Sequence, residues 1–275
     1  MSLRDAAAEA GESGLSPAER RVVEAVMRDP SRVAFGTVAE LADRSGTSGP
    51  TVVRVARKLG FDGYRELQAA VQDELGSAAD LAPAAARLRA TAAKRDDPLG
   101  RTLATELANV EATLRLADPA AFATTVRLLT ERRRRVLVVG GAAEAGIAVT
   151  FADELGQLRA GVEILEGSPT RVAARVALAG PTEVVLAIDV RRYDAWLVDS
   201  VAELKAAGAA VVAVTDGPLS PLVAGAAAWF EVRAQGPGPF DSHVGTLALL
   251  HAVIAGVADR LRIPAGERLD RIEAA

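Results

Sequence analysis

The chain is 275 residues long, half of them hydrophobic and a quarter charged, with a formal net charge of −4 and a pI near 5.4. It has no cysteine and only two histidines, which excludes disulfides, thiolate catalysis, cysteine-based zinc sites and a histidine-rich metal centre. The length predicts about two domains, and the acidic total leaves room for one confined basic surface rather than a body coated in nucleic acid. No uncharged apolar run reaches the length of a membrane span, and the opening MSLRDAAAEAGESG lacks the apolar stretch of a signal peptide. A soluble, cytoplasmic protein with no membrane partner is expected.

Residues 1 to about 14 are small and polar and read as an arm. Ser16-Pro17-Ala18-Glu19 is a capping box with proline at the first helical position, and Val22, Val23 and Val26 give the following helix an inward stripe. Asp29-Pro30 ends it. Thr37 and Glu40 form a second capping box. Ala42 lets a neighbouring helix approach, Gly46 supplies the left-handed residue of a sharp turn, and Ser48-Gly49-Pro50 starts the next helix. At about 100° per residue, Val52, Val55, Ala56 and Leu59 share one face. Thr51, Arg54, Arg57 and Lys58 fall on the other, and no acid occurs between Arg44 and Asp62. Residues 37–61 therefore read as a helix-turn-helix whose second helix enters the major groove. Arg54, Arg57 and Lys58 face double-stranded DNA, with Thr51 near the base edges and Ser48 near the backbone. A solvated basic face on an ordinary helix pair is the competing reading. After the turn Phe61-Asp62-Gly63, one more helix runs from Tyr64 to Leu75 with Leu67, Val71 and Leu75 inward.

The all-helical domain is placed at 1–77 and an alanine-rich linker at 78–98. Leu99–Leu116 and Pro119–Thr130 then read as helices. In the first, Leu103, Leu107, Val110 and Leu114 form a stripe that either covers the chain's own sheet or offers apolar surface to a second copy. From Arg135 the pattern changes. Strands are predicted at 136–139, 162–165, 184–188, 211–214 and 229–232, with helices at 143–159, 170–179, 194–207 and 221–226, and a last helix from 241 to 261. Such alternation predicts a doubly wound parallel sheet over 99–275, so the fold class is α plus α/β.

Open α/β sheets bind ligands beyond the carboxyl ends of their strands. There stand Gly140, Gly141 and Glu144, then Asp189, Arg191, Arg192 and Asp194, with His243 at the start of the last helix. These are the candidate effector-binding residues. Tyr193 and Trp196 either line the pocket or cover the sheet, and His251 reads as a core residue. The plainer explanation of the acids is that helix starts favour them. Gly140 to Ala145 has the place of a dinucleotide turn, with Glu163 or Glu166 near a ribose-binding position, but it lacks the later glycines of G-x-G-x-x-G. A Glu–His acid-base couple has no nucleophile motif, metal cluster or phosphate cradle beside it. No catalytic residue, metal ligand or cofactor is assigned.

The two halves in this order resemble the RpiR/MurR family of bacterial transcriptional regulators, which join a helix-turn-helix domain to a sugar-isomerase (SIS) domain that senses phosphosugars. LSPAERRVVEAV, VAELADRSGTS and TVVRVARKLGFDGYRELQAAVQDEL carry the resemblance in the first quarter of the chain, and ALAGPTEVVLAIDVRRYDA carries it in the second half. It implies a DNA-binding regulator that is not an enzyme, with operator DNA and a small metabolite as partners, acting as a homodimer or higher homo-oligomer. The alternative is a SIS-type sugar-phosphate isomerase with an added helical domain. Where the family has G-x-G-x-S after the first SIS strand, this chain has Gly140-Gly141-Ala142-Ala143-Glu144, and S-x-S-G-x-T becomes Asp189-Val190-Arg191-Arg192-Tyr193-Asp194. The hydroxyls that hold a phosphate at a helix start are gone, so an atypical effector is expected.

Overall fold

The computed structural model describes residues 14–28, 30–74, 84, 87–89, 97–191, 193–218 and 220–274. The arm at 1–13, Leu75, Arg192 and most of the linker segment lie outside these residues. The chain divides into two compact units, Met1–Pro83 with Gly217–Pro221, and Ala84–Asp216 with Leu222–Ala275.

The first unit is a helical bundle of α1 (Pro17–Arg28), α2 (Pro30–Phe35), α3 (Val38–Arg44), α4 (Gly49–Lys58) and α5 (Tyr64–Glu74). Both capping boxes form. Glu19 N donates to Ser16 Oγ and Ser16 N to Glu19 Oε2, and the Thr37–Glu40 pair repeats the exchange. Gly46 takes φ +57 in the turn between α3 and α4. The core gathers Val22, Val26, Leu41, Val52, Val55, Leu59, Leu67 and Val71. The short α2 is an addition to the predicted elements. Its six residues are too few to show a period, and it is held from outside: Tyr64 Oη and Gln68 Nε2 both donate to the carbonyls of Val33 and Gly36.

The second unit opens with α6 (Pro98–Leu116) and α7 (Pro119–Thr130), each with an aspartate N-cap followed by proline. Asp97 accepts from the N–H groups of Leu99 and Gly100, and Asp118 from those of Ala120 and Ala121. Then β1 (Arg135–Gly140), α8 (Ala145–Leu158), β2 (Val162–Ile164), α9 (Pro169–Ala177), β3 (Glu183–Ile188), α10 (Ala195–Ala206), β4 (Ala210–Thr215), β5 (Ala228–Glu231) and α11 (Val244–Glu273) follow. All strands are parallel, in the order β2-β1-β3-β4-β5. Side chains alternate across the sheet. Val136, Val138, Val184 and Leu186 pack with α7, α8 and α11, while Leu137, Val139, Val185 and Ala187 pack with α9 and α10. The result is the doubly wound, three-layered sheet that the apolar runs predict.

Two predicted elements are corrected. Residues 221–225 form turns rather than a helix, with Gly225 at φ +69. The last helix continues past Leu261 to Glu273 through a break at Arg262, two residues before Pro264, whose ring and missing N–H disrupt the ladder there. By length and composition α11 is also the one helix among the described residues that would suffice to cross a membrane. Its Leu249, Leu250, Val253 and Val257 are instead buried in this unit's own core.

The stripe on α6 does not cover the sheet. Leu103 and Leu107 are 63% and 61% exposed, and Leu99 and Leu114 are exposed as well. Asn109 and Thr113 face inward instead. Asn109 exchanges hydrogen bonds with the backbone of Gln235, and Thr113 Oγ1 accepts from Arg233 N. Gly245 on α11 makes this approach possible, since a Cβ there would lie 2.7 Å from Thr113 Oγ1 and 2.7 Å from Arg233 O.

Candidate functional site

The basic helix α4 has a buried side made by Thr51, Val52, Val55 and Ala56. Thr51 therefore sits at the edge of the core and not on the outward face, which corrects its expected place beside the base edges. Its Oγ1 accepts from Arg54 Nη2 at 3.1 Å and shares a hydrogen bond with Ser48 Oγ at 3.0 Å. At about 100° per residue the outward arc holds Pro50, Val53, Arg54 and Arg57. Arg54 and Arg57 are exposed, as is Ser48 at the start of the helix. Arg57 Nε also donates to the carbonyl of Asp62.

Lys58 lies at the margin of that arc and is held from behind by Glu19 of α1 at 2.9 Å. A stretch free of acids in sequence is thus not free of them in space. The Ser16 N–H and then the Lys58 ammonium hold the Glu19 carboxyl down at about 2. Arg21 was not picked out by the sequence pattern. It donates to the carbonyls of Ser45 and Gly46 at 3.1 and 3.2 Å, fixing the turn that sets the angle of α4.

In the second unit, β1 and β3 are neighbours, and α8 and α10 leave them onto opposite faces of the sheet. This switch point opens a crevice. Gly140 and Gly141 stand at its floor because nothing larger fits. A Cβ on Gly140 would lie 2.8 Å from Glu144 O, and one on Gly141 would lie 2.8 Å from Asp189 Oδ1 and 2.9 Å from Glu144 Oε2. Glu144 and Asp189 are 2% and 1% exposed. Burial, then the charge of Asp189, pushes the Glu144 carboxyl up to about 8. Burial likewise raises Asp189 to about 7, against the opposing pull of the Asp194 N–H.

The loop after β3 is knotted by carboxylates. Asp194 N donates to Asp189 Oδ2 at 2.8 Å, and Ala142 N to Asp194 Oδ2 at 2.6 Å. Arg191 takes φ +67, a left-handed conformation uncommon outside glycine, and its N–H donates to Asp216 Oδ1 at 3.1 Å. Tyr193 Oη holds the same oxygen at 2.6 Å. The side chain of Arg191 turns to Asp241, not to Glu144, Asp189 or Asp194. Arg191 Nη1 and Arg87 Nη1 both meet Asp241 Oδ1 at 2.7 Å. The N–H groups of Ala142, Arg191 and Asp194 and one nitrogen each of the Arg87 and Arg191 guanidiniums are therefore occupied by the chain's own acids.

A cleft of about 460 Å³ lies over these groups, lined by Arg87, Ala142, Ala143, Glu144, Val190, Asp194, Phe240, Asp241 and His243. Sequence reasoning missed Arg87, Phe240 and Asp241; Arg87 falls in the segment read as linker. Tyr193 and Trp196 are not among the lining residues. His251 is exposed beside Glu154 rather than in the core. Glu163 is committed to an ion pair with Arg175. Among the described residues, no three carboxyl or imidazole groups converge on a metal position.

Comparison with known proteins agrees with this division. The helix-turn-helix domain of the rpiR family matches residues 7–78, and the SIS domain matches residues 128–256. The chain is 26% identical over 267 residues to the HTH-type transcriptional regulator HexR of Pseudomonas aeruginosa, covering 94% of this chain and 90% of that protein. The sugar isomerase domain of an RpiR transcription factor from Sphaerobacter thermophilus superposes with a TM-score of 0.59 at 26% identity, over 64% of this chain and 98% of that one. Vibrio vulnificus NanR, crystallised with ManNAc-6P, shares the fold with a TM-score of 0.60 at 18% identity, over 96% of this chain and 94% of that one. The chain thus joins a helix-turn-helix domain of the rpiR family in its first unit to a SIS domain in its second, the architecture of an RpiR-type transcriptional regulator.

Proposed function

We propose that the chain regulates transcription by holding operator DNA on the outward arc of α4 and sensing a small metabolite in the β1–β3 crevice. The observation that carries this reading is the division of α4. Its inner side is wholly committed to the bundle core, and its outer side presents Arg54 and Arg57 at the surface. A guanidinium reads guanine bidentately or clamps phosphate, so either role suits these positions. Ser48 stands at the first turn, where a helix N-terminus meets the DNA backbone. The relatives named as regulators support a protein that is not an enzyme and works in the cytoplasm beside the DNA.

One helix-turn-helix covers only a half-site, and two gain affinity by acting together. The exposed leucines of α6 support a homodimer built through the SIS domain: Leu99, Leu103, Leu107 and Leu114 fall within about 80° of arc at 100° per residue. A fluorescence-anisotropy titration with operator fragments at several salt concentrations tests the reading. Sequence-specific binding that weakens steeply with salt is the expected result. Turnover of an aldose or ketose phosphate without DNA binding would favour the isomerase alternative.

A further inference from the structure

We propose that a basic pocket at the amino ends of β1 and β2 is a ligand site of its own, taking a small phosphate-bearing anion. It lies at the opposite end of the sheet from the β1–β3 crevice and does not depend on the reading of that crevice. The segments that lead into β1 and β2 supply Arg132 and Arg159, and the part of α11 beyond its break supplies Arg268 and Arg271. Together they line a cavity of about 230 Å³ that has no acid among its lining residues. At about 100° per residue, Pro264, Arg268 and Arg271 share one face of α11, and Asp270 lies well outside it. The continuation of α11 past Leu261 thus places two of the four guanidiniums there.

The positive charge exceeds what the fold consumes. Helices α7 and α8 both end at this pocket, and their carboxyl ends carry about half a negative charge each. Arg159 closes the first end: it is 8% exposed and donates to the carbonyls of Leu129, Glu131, Arg134 and Ala160. Arg268 Nε donates to Gly156 O at 2.9 Å and closes the second. About one negative charge therefore stands against four positive ones. Among the described residues, no carboxylate pairs with any of the four arginines. Glu131, next to Arg132 in sequence, is engaged with Arg127 and Arg134. Glu267 offers Arg271 Nε its carbonyl, not its carboxylate. The terminal nitrogens of Arg268 and Arg271 and the whole Arg132 guanidinium keep their donors for a ligand. Guanidinium forks match phosphate oxygens in pairs, and a dianion satisfies several of them where a single carboxylate cannot. A free phosphate or a small phosphate ester fits better than DNA, because Arg159 is buried and Arg268 half-buried in a small recess rather than spread on an open face.

Titration calorimetry with the full chain in a phosphate-free chloride buffer tests this with inorganic phosphate, glycerol 3-phosphate and acetate. The better phosphate probe should bind at least about tenfold more tightly than acetate, and the order of the two separates free phosphate from a phosphate ester as the source. R132A and R271A remove exposed side chains and should each weaken that binding about tenfold, the loss of one charged hydrogen bond. R271K should recover part of the loss, since an ammonium keeps the charge without the fork. R115A, on an exposed arginine of α6 outside the pocket lining, should leave binding unchanged and controls for diffuse charge. Circular dichroism should be the same for all variants. Absence of phosphate binding into the millimolar range, equal binding of acetate, an equal loss in R115A, or binding that survives R132A/R271A would overturn the inference. If R132A/R271A weakened operator binding while phosphate did not bind, the pocket would belong to DNA and the inference would fall as well.

Discussion

Arg54 and Lys58 stand one turn apart on the same helix and are set apart by what lies behind them. Arg54 reaches only Thr51 and is otherwise exposed, whereas Lys58 closes on buried Glu19. Arg54→Ala is therefore expected to weaken operator binding by about 1–3 kcal/mol while leaving the melting temperature unchanged. Lys58→Ala is expected to lower the melting temperature, because it leaves a buried carboxylate with fewer partners. Mobility shifts and thermal melts on both variants check the pair of outcomes. Glu144 gives a prediction of opposite sign to an ordinary acid. Its folded-state carboxyl keeps a proton up to about pH 8, whereas the unfolded chain releases it near 4.5. Between those limits the folded state binds more protons, so raising the pH favours unfolding. Stability should fall from pH 5 to 8.5, and Glu144→Gln should flatten that fall and add about 1–3 kcal/mol at the alkaline end. Denaturant melts across the range would show it; a wild-type curve that rises with pH would contradict the assignment.

Among the elements, those with a strong period were legible and those held by distant partners were not. The capping boxes at Ser16 and Thr37, the glycine turn at Gly46 and the β-branched strands from Val136 onward all form where their local chemistry places them. The helix Pro30–Phe35 was hidden because its carbonyls are satisfied by Tyr64 and Gln68, far along the chain. The inward face of α6 was hidden for a similar reason. Periodicity counts apolar residues, and here the buried positions are Asn109 and Thr113, matched to the loop after β5. In the crevice, the acids were legible, but Arg87 and Asp241 were not, since no local pattern marks a pairing across 154 residues. Two outcomes follow for α6 and its neighbour. Leu103→Glu with Leu107→Glu should convert a dimer to a folded monomer in sedimentation, whereas a dimer that persists would move the interface elsewhere. Gly245→Ala should destabilise the second unit by about 1–3 kcal/mol, because its Cβ meets backbone and a hydroxyl in a packed layer; an unchanged melt would show that α6 and α11 can part at no cost.

At the scale of the whole molecule, the acidic total charge and the basic helix are compatible because a net charge summed over the chain does not prevent Arg54 and Arg57 from forming a local positive arc on α4. The second unit keeps the SIS sheet and its switch-point crevice while filling the anion positions with its own carboxylates. The central claim is that one chain both binds a specific DNA sequence through α4 and responds to a ligand in the crevice. The most direct measurement is selection of bound sequences from random duplex DNA by the full-length protein, followed by anisotropy titrations of the selected site with wild type and Arg54→Ala. The account predicts one recurrent motif, bound with strong salt dependence and weakened by Arg54→Ala. Enrichment of no motif, or equal binding by the variant, would contradict it.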